Sequence, residues 1–152
     1  MKASQNRGVR FIQAILVCGL FSKSLFALCV DDEKANLRQG PGLNFTKTFE
    51  AIRYMPLKKL SKQAGWYRVE DLDGKVHWVK ENLVTGGYSC AAVKSDYANL
   101  RTGPGLEFKT AKASKGDKYL SFRVIQSKGR WVKLEDVEGD EVWAARDNLW
   151  IQ

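Results

Sequence analysis

A single histidine, His77, stands in 152 residues, so a Cys-His or Ser-His pair is available at one place at most. It lies between Val76 and Trp78 with no cysteine beside it and no nucleophile motif nearby, and strand alternation is taken to place it on the surface. Catalysis is therefore not expected. Long apolar runs are also missing: the stretch over residues 11–21 is interrupted by Gln13 and falls well short of the ~20 residues that span a bilayer. No amphipathic helix of normal length follows Ala27, and no Lys/Arg cluster is denser than Lys58-Lys59 with Lys62. A composition 44% hydrophobic and 28% charged excludes a disordered or collagen-like chain.

Acidic residues are absent from the first 27 positions, which hold Lys2, Arg7, Arg10 and Lys23, so only +4 of the formal +8 belongs to the rest. That excess is too small and too scattered for a nucleic-acid surface, and no nucleic acid is expected as a partner. A basic stretch, an apolar run and a small-residue segment in that order read as a helical secretory signal peptide over residues 1–27, cleaved after Ala27. Leu28 is too large for the position before a lipidated cysteine, so no lipid is expected on Cys29. The mature chain is expected in the periplasm or outside the cell, with no stable membrane insertion after cleavage.

Cysteine is scarce. Cys18 leaves with the signal, and Cys29 and Cys90 remain as an even pair in an oxidising compartment, where a bridge between them is expected and two independent thiols are the alternative. The acidic runs Glu70-Asp71-Leu72-Asp73 and Glu135-Asp136-Val137-Glu138 lack the converging oxygen ligands of a calcium loop. They read as solvated turns, and no metal or cofactor is expected.

What is present is a repeat. Ala35-Asn36-Leu37-Arg38-Gln39-Gly40-Pro41-Gly42-Leu43-Asn44-Phe45 returns as Ala98-Asn99-Leu100-Arg101-Thr102-Gly103-Pro104-Gly105-Leu106-Glu107-Phe108, with nine of eleven positions matched at an offset of 63. The block from Gly65 to Gly74 then answers to Arg130 through Gly139, Trp78 to Trp143, and Asn82-Leu83 to Asn148-Leu149. Within each copy, Tyr67 with Val69 and Val132 with Leu134 share a face by period-two alternation, and Asp73-Gly74 or Glu138-Gly139 turns the chain into a hairpin. Gly-Pro-Gly marks an irregular loop, because proline lacks the donor and glycine releases φ. Short strands in units of about 60 residues predict small β-barrels.

The succession Ala-Asn-Leu-Arg-x-Gly-Pro-Gly, then Trp-x-x-Val-x-Asp-x-x-Gly in the first copy, then Trp and Asn-Leu, resembles the bacterial SH3-like (SH3b) domain, present twice. The resemblance implies an all-β chain of two tandem SH3-like barrels, residues 28–86 and 87–152, behind the signal peptide. It also maps Trp66 and Trp131 to the edge of a ligand groove, with Asn82, Asn148, Arg38 and Arg101 as further groove candidates. The two arginines and Asn36 and Asn99 equally suit a scaffold role, the arginines pairing with Glu70 or Glu135. Trp66 and Trp131 are expected to be exposed and Trp78 and Trp143 to pack. Where a eukaryotic SH3 domain places Pro and Tyr for polyproline, this chain has Lys80 and Leu83, or Ala145 or Arg146 and Leu149. The implied partner is therefore cell-wall peptidoglycan or an envelope protein or peptide. The competing expectation is a structural spacer or adaptor subunit with no small ligand.

Overall fold

The computed structural model describes residues 27–152; apart from Ala27, the expected signal peptide lies outside them. The first half contains β1 (Ala27–Val30), β2 (Lys34–Arg38), β3 (Lys47–Ile52), β4 (Pro56–Gln63), β5 (Trp66–Glu70), β6 (Val76–Lys80) and β7 (Val84–Thr85). The second contains β8 (Cys90–Val93), β9 (Tyr97–Arg101), β10 (Thr110–Asp117), β11 (Ser121–Lys128), β12 (Trp131–Glu135), β13 (Glu141–Ala145) and β14 (Leu149–Ile151). Each half forms one antiparallel sheet, ordered β3-β2-β6-β5-β4-β1-β7 and β10-β9-β13-β12-β11-β8-β14. The repeat read from the sequence is thus a repeat of topology. It extends to the register shift midway along β4 and β11, where the strand gains a residue against its neighbour.

The inward side chains explain why the sheets curl. Leu37, Leu57, Val69 and Val79 are fully buried in the first half, and Leu100, Phe122, Leu134 and Ala144 occupy the same places in the second. The exchange of Leu57 for Phe122 adds bulk while that of Val79 for Ala144 removes it, so two sequences fill one shape at similar volume. Val132 and Leu134 share the buried face as alternation requires. Gly74 and Gly139 turn their hairpins at φ +77° and +89°, a region costly for residues bearing a Cβ.

A disulfide joins Cys29 on β1 to Cys90 on β8, with both cysteines fully buried and their Cα atoms 5.9 Å apart. It does not act alone. Tyr119 of the second half, at φ +75°, lies against Phe49 with ring centres 6.3 Å apart and gives its hydroxyl to Asp73. Lys118 Nζ meets the same carboxylate at 3.0 Å. Hydrogen bonds from Tyr119 and Lys118 hold the Asp73 carboxyl below its usual range. The clasp is therefore fully present above the ordinary carboxylate range and is lost as pH falls through the lowered value. Linker residue Tyr88 donates to Asp31 Oδ1 at 2.9 Å and packs edge-on against Tyr54, 5.9 Å away. The linker is therefore tied to the first half at several points.

Candidate functional site

The Gly-Pro-Gly loop is built from inside the repeat. Arg101 Nη1 donates to the carbonyls of Leu106 and Phe108 at 3.3 and 2.9 Å, and Arg38 Nη1 donates to that of Phe45 at 2.8 Å. This corrects the expected pairing with Glu70 and Glu135, which instead lie beside Lys58 and Arg123. The arginines lie at the ends of β2 and β9, where a backbone loop rather than a carboxylate comes within reach. The glycines also have a different reason from the one anticipated. Gly40 and Gly103 are absent from the positive-φ residues, but a Cβ there would stand 2.5 and 2.1 Å from the Phe45 and Phe108 rings folded over them. Close approach requires glycine here.

The loop so held presents Leu43 and Leu106 outward, 71% and 78% exposed. In the second half it borders a groove of about 480 Å³ lined by Pro104, Leu106, Glu107, Arg130, Trp131 and Ala145. Trp131 is half-buried there, offering an indole face between an apolar lip and two opposite charges. Trp66 occupies the same place in the first half, yet it is buried, as is Trp143, whereas Trp78 is half-buried. The expected exposure therefore fails for Trp66, and Trp131 and Trp78 are alike half-buried, so the two pairs do not divide as expected. The cross-strand neighbour supplies a reason: Trp66 stands opposite Lys80, and Trp131 opposite Ala145. A long aliphatic stem has the reach to cover a neighbouring indole, and a methyl group does not.

Family models described as bacterial SH3 domain match residues 33–85 and, separately, residues 94–150. The chain belongs to the bacterial SH3 family. No curated protein matches it significantly. Among solved structures it is similar to NlpC2 from Trichomonas vaginalis, at 10% identity and TM-score 0.36, covering 82% of this chain and 47% of that one. It is likewise similar to an NlpC/P60 family protein from Bacillus cereus ATCC 10987, at 11% identity and TM-score 0.38, covering 83% and 56%. The chain thus spans about half the length of those two proteins.

The asparagines stand in short 3-10 turns closing each SH3 domain, Asn82 exposed within Glu81–Leu83 and Asn148 half-buried within Arg146–Asn148. The carbonyls of Leu83 and Asn148 accept from Asp31 and Lys94, tying each turn back to the start of its domain. Asn148 and Arg101 belong to the domain that carries the groove but do not line it, and its walls are made by Leu106, Glu107, Arg130 and Ala145. These the sequence reading missed, although Leu106 lay in plain view as the matched residue after Gly-Pro-Gly.

His77 is a further correction. It is 5% exposed, not a surface residue, because β6 turns His77 and Val79 inward together and leaves Val76 and Lys80 outside. Its Nε2 donates to Asp71 Oδ2 at 3.0 Å and its Nδ1 lies 2.7 Å from Thr48 Oγ1. Asp71, 8% exposed, is likewise not the solvated turn residue expected: its Oδ1 accepts the backbone N–H of Asp73 and Lys75 at 2.9 and 2.8 Å. The second SH3 domain keeps that turn with Asp136, whose Oδ1 accepts from Glu138 and Asp140, but puts buried Val142 at the histidine position. The turn therefore needs the aspartate and not the histidine. Asp71→Ala should cost about 2 kcal/mol, since it strands the buried imidazole and removes the acceptor of two part-buried backbone N–H groups, whereas His77→Val should stay within about 1 kcal/mol of the parent. Urea titration of both variants measures the contrast, and equal losses would contradict this account of the turn.

Proposed function

We propose that the chain is an exported, non-enzymatic binding module of the bacterial cell envelope whose second SH3 domain takes peptidoglycan or a wall-associated protein or peptide in the Trp131 groove. The observation that carries this reading is the open indole face of Trp131 beside an exposed leucine lip, with Glu107 and Arg130 on the walls. A flat apolar surface with an N–H at its edge suits a sugar face or a peptide, and flanking charges of both signs suit an ionic ligand. Export draws support from the amino-terminal pattern of basic, apolar and small residues and from the disulfide, which belongs in an oxidising compartment.

A second reading is favoured by the joint between the domains. A disulfide and the Tyr119–Asp73 clasp hold them firmly, as a spacer or adaptor in an envelope complex requires. Co-sedimentation with purified peptidoglycan separates the two. The mature protein should pellet with it, and Trp131→Ala, still folded, should weaken binding by about 2 kcal/mol, roughly 30-fold. Retention that is absent, or unchanged by Trp131→Ala, supports the spacer instead.

A further inference from the structure

We propose that the seam between the SH3 domains holds a second binding site, for the carboxylate end of an extended peptide lying against β11. The strand supplies the first part of the argument. β11 pairs with β8 only from Ser121 to Arg123, after which Val124 donates to the Ser89 carbonyl and the linker turns away. From there onward, among the described residues, only β12 pairs with β11. The free edge lies along a groove of about 680 Å³ walled by Tyr88, Ser89 and residues 124–127. An unpaired strand edge presents a row of backbone donors and acceptors, the pattern that an extended chain satisfies by adding a strand.

The end of that groove supplies the second part. Tyr88 and Arg123 also line a pocket of about 410 Å³, together with Asp31, Arg53 and Tyr54. Tyr54 and Tyr88 form its aromatic floor, and the Arg123 guanidinium stands over the Tyr88 ring at 5.3 Å. Arg53 spends only Nε, donating to the Asp31 carbonyl at 3.1 Å; among the described residues its terminal nitrogens have no hydrogen-bond partner. Arg123 lies 3.8 Å from Glu135, beyond hydrogen-bond length, and the Asp31 carboxylate is engaged by the Tyr88 hydroxyl. Two guanidiniums with spare donors thus line the pocket beside the engaged Asp31 carboxylate, while Glu135, outside the lining, makes only the long ion pair with Arg123. The planar fork of arginine matches a second carboxylate. Because the pocket opens onto a strand edge, the carboxylate it fits is one at the end of a backbone. The pocket is built from the first domain, the linker and the second domain together, and it shares no residue with the Trp131 groove.

The test uses the oxidised mature protein, immobilised, and two matched pools of random-sequence hexapeptides, one with free carboxyl termini and one amidated. The free-acid pool should be retained about ten-fold more strongly. The double variant R53Q/R123Q should reduce it to the level of the amidated pool, while K47Q/K75Q, which removes the same charge elsewhere, should not. Titration with a retained peptide should move the backbone amide resonances of residues 124–127. Equal retention of the two pools overturns the proposal, as does free-acid retention that survives R53Q/R123Q or falls equally with K47Q/K75Q. Both arginines are exposed, and an unchanged melting curve for R53Q/R123Q verifies that it folds.

Discussion

Replacing Cys29 and Cys90 together with alanine should lower the melting transition of the first SH3 domain by on the order of 15 °C or more, and that of the second far less. The bridge spans 61 positions, and the ring it closes contains β1 through β7 almost entire, whereas the second domain lies outside it. Cross-linking therefore restricts the unfolded ensemble of the first domain. In the chain-entropy model a ring of this size contributes about 4 kcal/mol. For a domain of this length each kcal/mol shifts the transition by about 4–8 °C. A total stability of roughly 5 kcal/mol would leave the variant's first domain close to unfolding at 37 °C. Both cysteines are fully buried, so alanine rather than serine is the proper replacement, because it leaves no unpaired hydroxyl in the core. Calorimetry of the oxidised parent and the variant decides the matter. Two transitions lowered by the same amount would place the stabilisation in domain docking instead of in the ring.

The parts legible in the sequence were those governed by local rules applied twice. The repeat, the alternation of Val132 and Leu134 and the hairpin glycines each follow from residues close together in the chain. The features that escaped depend on distant neighbours. Period-two alternation says that His77 and Val79 share a face, but choosing the inner face needed the observation that Val142 fills the same place in the second copy. The sequence suits Arg38 and Arg101 to a groove or a scaffold role alike, and their partners are backbone carbonyls, which carry no residue signature. Tyr54 and Tyr119 take positive φ at equivalent positions, where nothing in their chemistry announces it. Tyr119 serves the contact between domains, a level of structure that two separate repeats do not encode in either one alone.

Trp66→Ala should unfold the first SH3 domain, whereas Trp131→Ala should leave the second folded, although the two residues occupy the same place in the repeat. Trp66 is only 8% exposed, so its removal opens a cavity and costs about 3–5 kcal/mol, comparable with the whole stability of so small a domain. Trp143, 9% exposed, should behave like Trp66. Trp131 keeps part of its face in solvent and has less packing to lose. The origin assigned to this difference is the cross-strand neighbour, Lys80 in one domain and Ala145 in the other, and that assignment has its own consequence. Lys80→Ala should increase acrylamide quenching of the indole at Trp66, and Ala145→Lys should shield Trp131 and weaken binding in its groove. Each is best measured with Trp150 and the other tryptophans outside the tested position replaced by Phe where the fold tolerates it. Unchanged quenching in both variants would trace the burial of Trp66 to some other neighbour. Shielding of Trp131 by Ala145→Lys without loss of peptidoglycan retention would remove that indole from the binding surface.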